Sequence, residues 1–131
     1  QVGAVLTTEA RPGDLVVYCP DQLGPAVHRL APAGLDEVTY PDFGPAGFVD
    51  WVDYQARVDA AVPQDFAKEA GARAGSRTIW YVTGPGYPNH RGACEAMADA
   101  FTARRERIDR VIPDEDFFEK PGLIQYPPPA P

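Results

Sequence analysis

Two short runs, Asp14-Leu-Val-Val-Tyr-Cys19 and Thr78-Ile-Trp-Tyr-Val-Thr83, constrain this 131-residue chain more than anything else in it. Both are β-branched and aromatic without polar–apolar alternation, so neither leaves a face for water. A strand of that kind needs apolar cover on both sides, which in a chain of one domain's length means a sheet with helices on each face.

The rest of the chain supplies such cover in turn. Residues 1–10 read as a helix that continues from a missing upstream region and stops at Arg11-Pro12-Gly13, where Pro disfavours the α conformation before it and Gly permits a turn. After the first strand, Asp21 is placed to cap a short helix carrying Leu23, Val27 and Leu30. Residues 35–40 form a second strand, closed by the loop chemistry of Pro41-Asp42-Phe43-Gly44-Pro45. Phe48, Trp51, Val52, Val58 and Val62 share one arc at helical spacing, which predicts a helix with Trp51 packed on the sheet. Pro63 divides it from an alanine-rich helix over 64–74 that ends at Gly75. A turn-rich loop over 84–92, a helix over 93–105 and strands at 108–112 and 122–126 around an acidic turn at 114–116 complete the chain. Helix and strand in near-strict alternation predict an α/β fold, a three-layer α/β/α arrangement around a mainly parallel, Rossmann-like sheet of short strands with Val16, Val38 and Val82 in its core. Residues 1–126 read as a single domain and 127–131 as a Pro-rich tail.

Charge narrows the function classes. Twelve Lys and Arg against nineteen Asp and Glu give a net charge of −7, which repels the phosphate backbone and argues against nucleic acid as a partner. The one basic cluster, Arg104-Arg105-Glu106-Arg107, sits at a helix end where the helix dipole favours cations, and reads as a solvated face. No apolar run reaches the length of a membrane span, so this stretch by itself is expected to be soluble.

With only His28 and His90, neither a three-histidine zinc site nor a Cys/His finger can be built, and no metal is expected. Gly84-Pro-Gly86 fails the dinucleotide fingerprint because no Gly follows three residues on, so no cofactor is expected either. Cys19 ends the first strand and Cys94 opens the helix after the third. If those strands are neighbours, a Cys19–Cys94 disulfide is the leading reading; two separate buried thiols and a reactive cysteine are the others. In the reactive case the chain would be a free-standing cytosolic thiol enzyme using Cys19 and His90, but Pro20 and Asp21 weaken the anion-binding loop such chemistry needs.

In an open sheet, ligands gather at the carboxyl ends of the parallel strands. The candidate ligand-binding residues are therefore Asp21 and Gln22 after the first strand, Tyr40, Asp42 and Phe43 after the second, and Tyr87, His90 and Arg91 after the third. Aromatic faces beside amide, carboxylate and guanidinium groups suit hydroxyl-rich ligands. No residue is assigned a catalytic role.

Pro12-Gly13-Asp14, Val16 through Pro25 with its Cys-Pro-Asp-Gln-Leu-Gly-Pro stretch, Tyr40-Pro41, Val49 through Tyr54, Gly86-Tyr87 and Cys94-Glu95 carry a resemblance across most of residues 11–100. The chain resembles the C-terminal part of actinobacterial multi-spanning membrane glycosyltransferases, a mannosyltransferase-like group related to the dolichyl-phosphate-mannose-protein mannosyltransferases. The resemblance implies an extracytoplasmic α/β domain attached to a transmembrane region that carries the catalytic acidic residues and uses a polyprenyl-phosphate sugar. On that basis the domain is expected at the outer face of the cell membrane as a non-catalytic accessory module. Its partners would be its own transmembrane region and a polysaccharide or lipid-linked sugar.

Overall fold

A computed structural model describes residues 1–84, 92–112 and 121–130. The elements, in chain order, are α1 (Val2–Glu9), β1 (Leu15–Cys19), a 3₁₀ turn (Asp21–Leu23) running into α2 (Gly24–His28), β2 (Asp36–Thr39), α3 (Tyr54–Ala60), α4 (Pro63–Ala74), β3 (Ile79–Thr83), α5 (Ala93–Thr102), β4 (Ile108–Val111) and β5 (Gly122–Tyr126). The five strands form one open sheet in the order β2-β1-β3-β5-β4.

Every residue of β1 is buried, as its unbroken apolar run requires. Successive side chains point to opposite faces. Leu15, Val17 and Cys19 therefore join one cluster, with Phe66, Ala67, Ala70 and Ala74 of α4 and Met97, Ala98 and Phe101 of α5. Val16 and Tyr18 join another, with Val2 and Leu6 of α1 and with Leu23, Val27 and Ala46. The alanines on α4 let it lie close to α5, while Phe101 fills the space beneath with edge-on contact to Tyr81 at 5.5 Å. Burying each such aromatic is worth roughly 1.5–3 kcal/mol. Val16, Val38 and Val82 are all in the core.

The sheet is mixed, not mainly parallel. β1 pairs in parallel with β2 and β3, but β5 runs antiparallel to both β3 and β4. The reason lies in the connection lengths. A parallel return needs a crossover of about a dozen residues or more, and residues 112–121 are too few to bring β5 back parallel to β4. The longer β3–α5–β4 crossover does keep β3 and β4 in the same direction, and β5 fills the position between them.

A second correction concerns residues 48–62. The helix starts only at Tyr54, after Asp53 in the left-handed region (φ 50°), so the apolar arc is not continuous helix. Phe48, Trp51, Val52 and Val62 are exposed, Trp51 to 60%, and of that arc only Val58 is buried. Leu30 likewise lies beyond the end of α2 and is exposed. Arg105 departs from a solvated face in the other direction. It is buried, and its guanidinium donates to the carbonyls of Arg77 (2.7 Å), Gly75 (2.8 Å) and Pro127 (3.4 Å), tying the end of α4 to the tail. Among the described residues no helix is long and apolar enough to cross a membrane.

Candidate functional site at the carboxyl edge of the parallel strands

β1, β2 and β3 end side by side, with Tyr18 opposite Thr39 and Cys19 opposite Thr83. This brings the segments after Cys19 and Thr39 to one edge. Parallel pairing of β1 with β3 also carries Cys19 to the start of α5. Cys19 and Cys94 form a disulfide there, with Cα atoms 5.6 Å apart and the two residues 75 positions apart in sequence. Both sulfurs are thereby committed, and no described cysteine is free. A disulfide sulfur is not a thiolate nucleophile, so this geometry supplies no attacking group to a thiol mechanism.

Asp21 follows immediately and is buried, which an isolated carboxylate resists. Its partner comes from α3: the Tyr54 hydroxyl donates to Asp21 Oδ1 at 2.6 Å and lies 3.2 Å from Gln22 Oε1. One hydroxyl proton serves one acceptor, and the shorter contact marks Asp21 as its recipient. Burial pushes the Asp21 carboxyl above the usual carboxylate range, opposed by the hydrogen bond from Tyr54 and by the backbone amides of Asp21 and Gln22. Burial, with the hydrogen bond to Asp21, also raises the Tyr54 phenol, so it remains a donor at any physiological pH.

The loop after β2 closes over this pair. The Gly24 position has no room for a side chain, since a Cβ there would lie 2.7 Å from the Ala46 carbonyl oxygen. Tyr40 is buried edge-on against Phe66, with ring centroids 5.2 Å apart. Phe43 adopts a left-handed backbone (φ 57°) and stacks on the same Phe66 ring at 3.9 Å. Such a conformation costs a bulky residue about 1–2 kcal/mol, which that stacking and burial offset. Asp42 is exposed and paired with Arg57, whose guanidinium also donates to the Val52 and Asp50 carbonyls and sits 5.8 Å from the Tyr54 ring centre. Trp51 packs edge-on against Tyr54 at 4.9 Å, leaving most of its indole open.

The structure therefore brings Asp21, Gln22, Asp42 and Phe43 to one edge and places Tyr40 beneath them. Tyr87, His90 and Arg91 lie outside the described residues. Tyr54, Arg57 and Trp51 belong to the same edge; Tyr54 and Arg57 lie on α3, within the span expected to be helical, and Trp51 precedes it. In sequence they stand in Asp50-Trp51-Val52-Asp53-Tyr54-Gln55-Ala56-Arg57, where acidic and aromatic residues mix.

A second polar chain runs beside α2. Glu37 accepts from the Tyr18 hydroxyl through Oε1 at 2.6 Å and meets His28 Nδ1 through Oε2 at 2.7 Å. It satisfies a buried phenol from the strand edge and orients the exposed His28 ring. Among the described residues no group of three or more His, Cys, Asp or Glu side chains could hold a metal ion.

Searches against protein-family models, curated proteins and solved structures find no match to this chain.

Proposed function

We propose that the chain is a non-catalytic, extracytoplasmic accessory domain of a polyprenyl-phosphate-sugar-dependent membrane glycosyltransferase, and that its carboxyl edge contacts the acceptor glycan. The observation that carries this reading is the Cys19–Cys94 disulfide. Such bonds persist in oxidising compartments and are rare where glutathione and thioredoxin keep thiols reduced. The sequence resemblance adds the membrane enzyme.

The edge itself favours binding over catalysis. Its buried carboxylate is engaged by Tyr54 and its exposed one by Arg57, so neither stands ready as an acid–base partner to the other. Among the described residues, what remains open to a ligand is the Gln22 amide, the Phe43 edge and the Trp51 indole: groups that stack on and hydrogen-bond to a sugar without changing it. Affinity for such a shallow surface is expected in the millimolar range.

Titration of the ¹⁵N-labelled domain with mannose- or arabinose-containing oligosaccharides tests the binding. Amides near Gln22, Phe43 and Tyr87 should shift together, and the absence of shifts there would remove glycan contact from this edge. Quantifying thiols in protein isolated without reductant tests the compartment independently.

A further inference from the structure

The opposite edge of the sheet holds an open cleft of about 610 Å³ between the start of β1, the start of β3 and the end of β5. Its floor is made by Asp14 and Trp80, both buried. Asp14 Oδ2 accepts from the backbone N–H of Arg11 at 2.9 Å and from Trp80 Nε1 at 3.0 Å. Its other oxygen, Oδ1, has no donor among the described residues, although the side chain is nine-tenths buried. A carboxylate lone pair left without a protein partner at the bottom of a cleft is an acceptor for something that enters it.

The rim carries the opposite sign. Arg77 donates from Nη1 to the Pro12 carbonyl at 2.9 Å, which fixes its guanidinium over Gly13. Arg11 is exposed, and its guanidinium has no hydrogen bond or ion pair with any described residue. The neighbouring Glu9 is already paired with Arg110, which also donates to Gln125 Oε1 at 2.7 Å. Two guanidiniums thus face one carboxylate in the cleft, with the Ser76 and Thr78 hydroxyls beside them. With Glu9 neutralised by Arg110, the cleft carries one positive charge in excess, in a chain of net charge −7.

We propose that this cleft binds a small anion that also carries a hydroxyl group, of the chemistry shared by sugar phosphates and sugar acids. The hydroxyl donates to Asp14 Oδ1 while the anionic group is held by Arg11 and Arg77. A bare anion would meet Asp14 as a like charge, and a neutral sugar would leave both guanidiniums unused. Each half of the site therefore selects one half of the ligand. This inference does not depend on the carboxyl-edge reading, and the two edges report through different amides.

The test is ¹⁵N-edited NMR titration of the same domain with four probes: glucose 1-phosphate, glucuronate, inorganic phosphate and glucose. The expected result is that glucose 1-phosphate or glucuronate shifts the amides of Gly13, Ser76 and Thr78, leaving Gln22 and Phe43 in place. Inorganic phosphate and glucose should bind more weakly. Which of the two hydroxylated anions binds tighter distinguishes the phosphate from the carboxylate source. Arg11→Ala should weaken binding about 10-fold or more, the loss of one charge-assisted contact, while Arg29→Ala should not change it. Because Arg11 is exposed and its side chain makes no hydrogen bond or ion pair with the described residues, the spectrum of that variant should otherwise match the parent. No shift at these amides with either hydroxylated anion overturns the proposal. So does inorganic phosphate binding as tightly as glucose 1-phosphate, or Arg11→Ala binding unchanged.

Discussion

The two ends of the parallel strands are built from similar residues and finished differently. At the carboxyl edge, polar groups are paired within the chain: Asp21 with Tyr54, Asp42 with Arg57, and Cys19 with Cys94. At the amino edge, among the described residues, Asp14 is half satisfied and the Arg11 guanidinium has no hydrogen bond or ion pair. Open sheets generally place ligands at the carboxyl edge, and the alternation of elements directs attention there. Here, among the described residues, the general rule locates the more fully paired of the two edges, because α3 brings Tyr54 to Asp21 and Arg57 to Asp42. The lesson is that topology indicates where loops gather, while the balance of donors and acceptors indicates which edge still has something to offer.

That contrast can be broken most forcefully at the disulfide. Cys19→Ala with Cys94→Ala should lower stability by about 2–4 kcal/mol, since the bond closes a long loop in the unfolded chain. Thermal unfolding of the double variant, beside the parent with and without reductant, measures it. A change well below that range would mean that the carboxyl edge is held by its hydrogen bonds and packing instead. Tyr54→Phe comes next, at about 1–3 kcal/mol, because it leaves the buried Asp21 carboxylate without its side-chain donor. Urea titration should show the loss with little change in the denaturant slope.

At the amino edge Gly13→Ala is the matching probe. Gly13 has φ +87°, and a Cβ there would sit 1.5 Å from Arg77 Nη1. The backbone alone costs about 1–2 kcal/mol in that region, and the guanidinium must also leave its place over the glycine. Chemical denaturation reads the stability, and loss of anion-induced shifts at Ser76 reads the displaced arginine.

A finer comparison uses pH. Burial raises the Asp21 pKa in the folded protein, so the folded chain keeps a proton over a range where the unfolded chain has released it. Stability then falls as pH rises through that window, from the ordinary carboxylate value near 4 up to the raised folded value. Asp21→Asn should remove this fall. Its advantage over the parent should be present at neutral pH and vanish on acidification below the window, as unfolding curves across the acid range would show. The smallest effect is expected at Trp51→Ala. This residue is largely exposed, and stability should change by no more than about 0.5 kcal/mol while any glycan-induced shift at the carboxyl edge weakens.

Much of the fold could be read from residue order. The buried runs of β1 and β3, Pro63 at the first position of α4 and Gly75 beyond its end are local signals, and each marks its element to within a residue or two. The composition of Gly122–Tyr126 is the same whichever way the strand runs; its direction follows from the short connection over 112–121 and from its place between β3 and β4. The Trp51 stripe misled for a related reason, since a spacing of hydrophobic residues exists whether or not the backbone is helical there. As for the site, Asp21 and Gln22 could be placed by the end of a strand. Their dependence on Tyr54 and the half-satisfied state of Asp14 are contacts between residues 33 and 66 apart in sequence, and no pattern along the chain encodes them.

The position of β5 has a consequence for how the chain is made. A polypeptide emerges from a ribosome or an export channel with its amino end first, so β3 and β4 are both out before the strand that belongs between them. Until Tyr126 has emerged, the sheet is two separate pieces with facing unpaired edges, each able to accept a strand from another molecule. Assembly of the sheet therefore waits on the stretch from the end of β4 to Tyr126, on the order of seconds at ordinary synthesis rates. An interruption after residue 121 would yield a product with all five of the described α-helices and with β4 unjoined to the other strands.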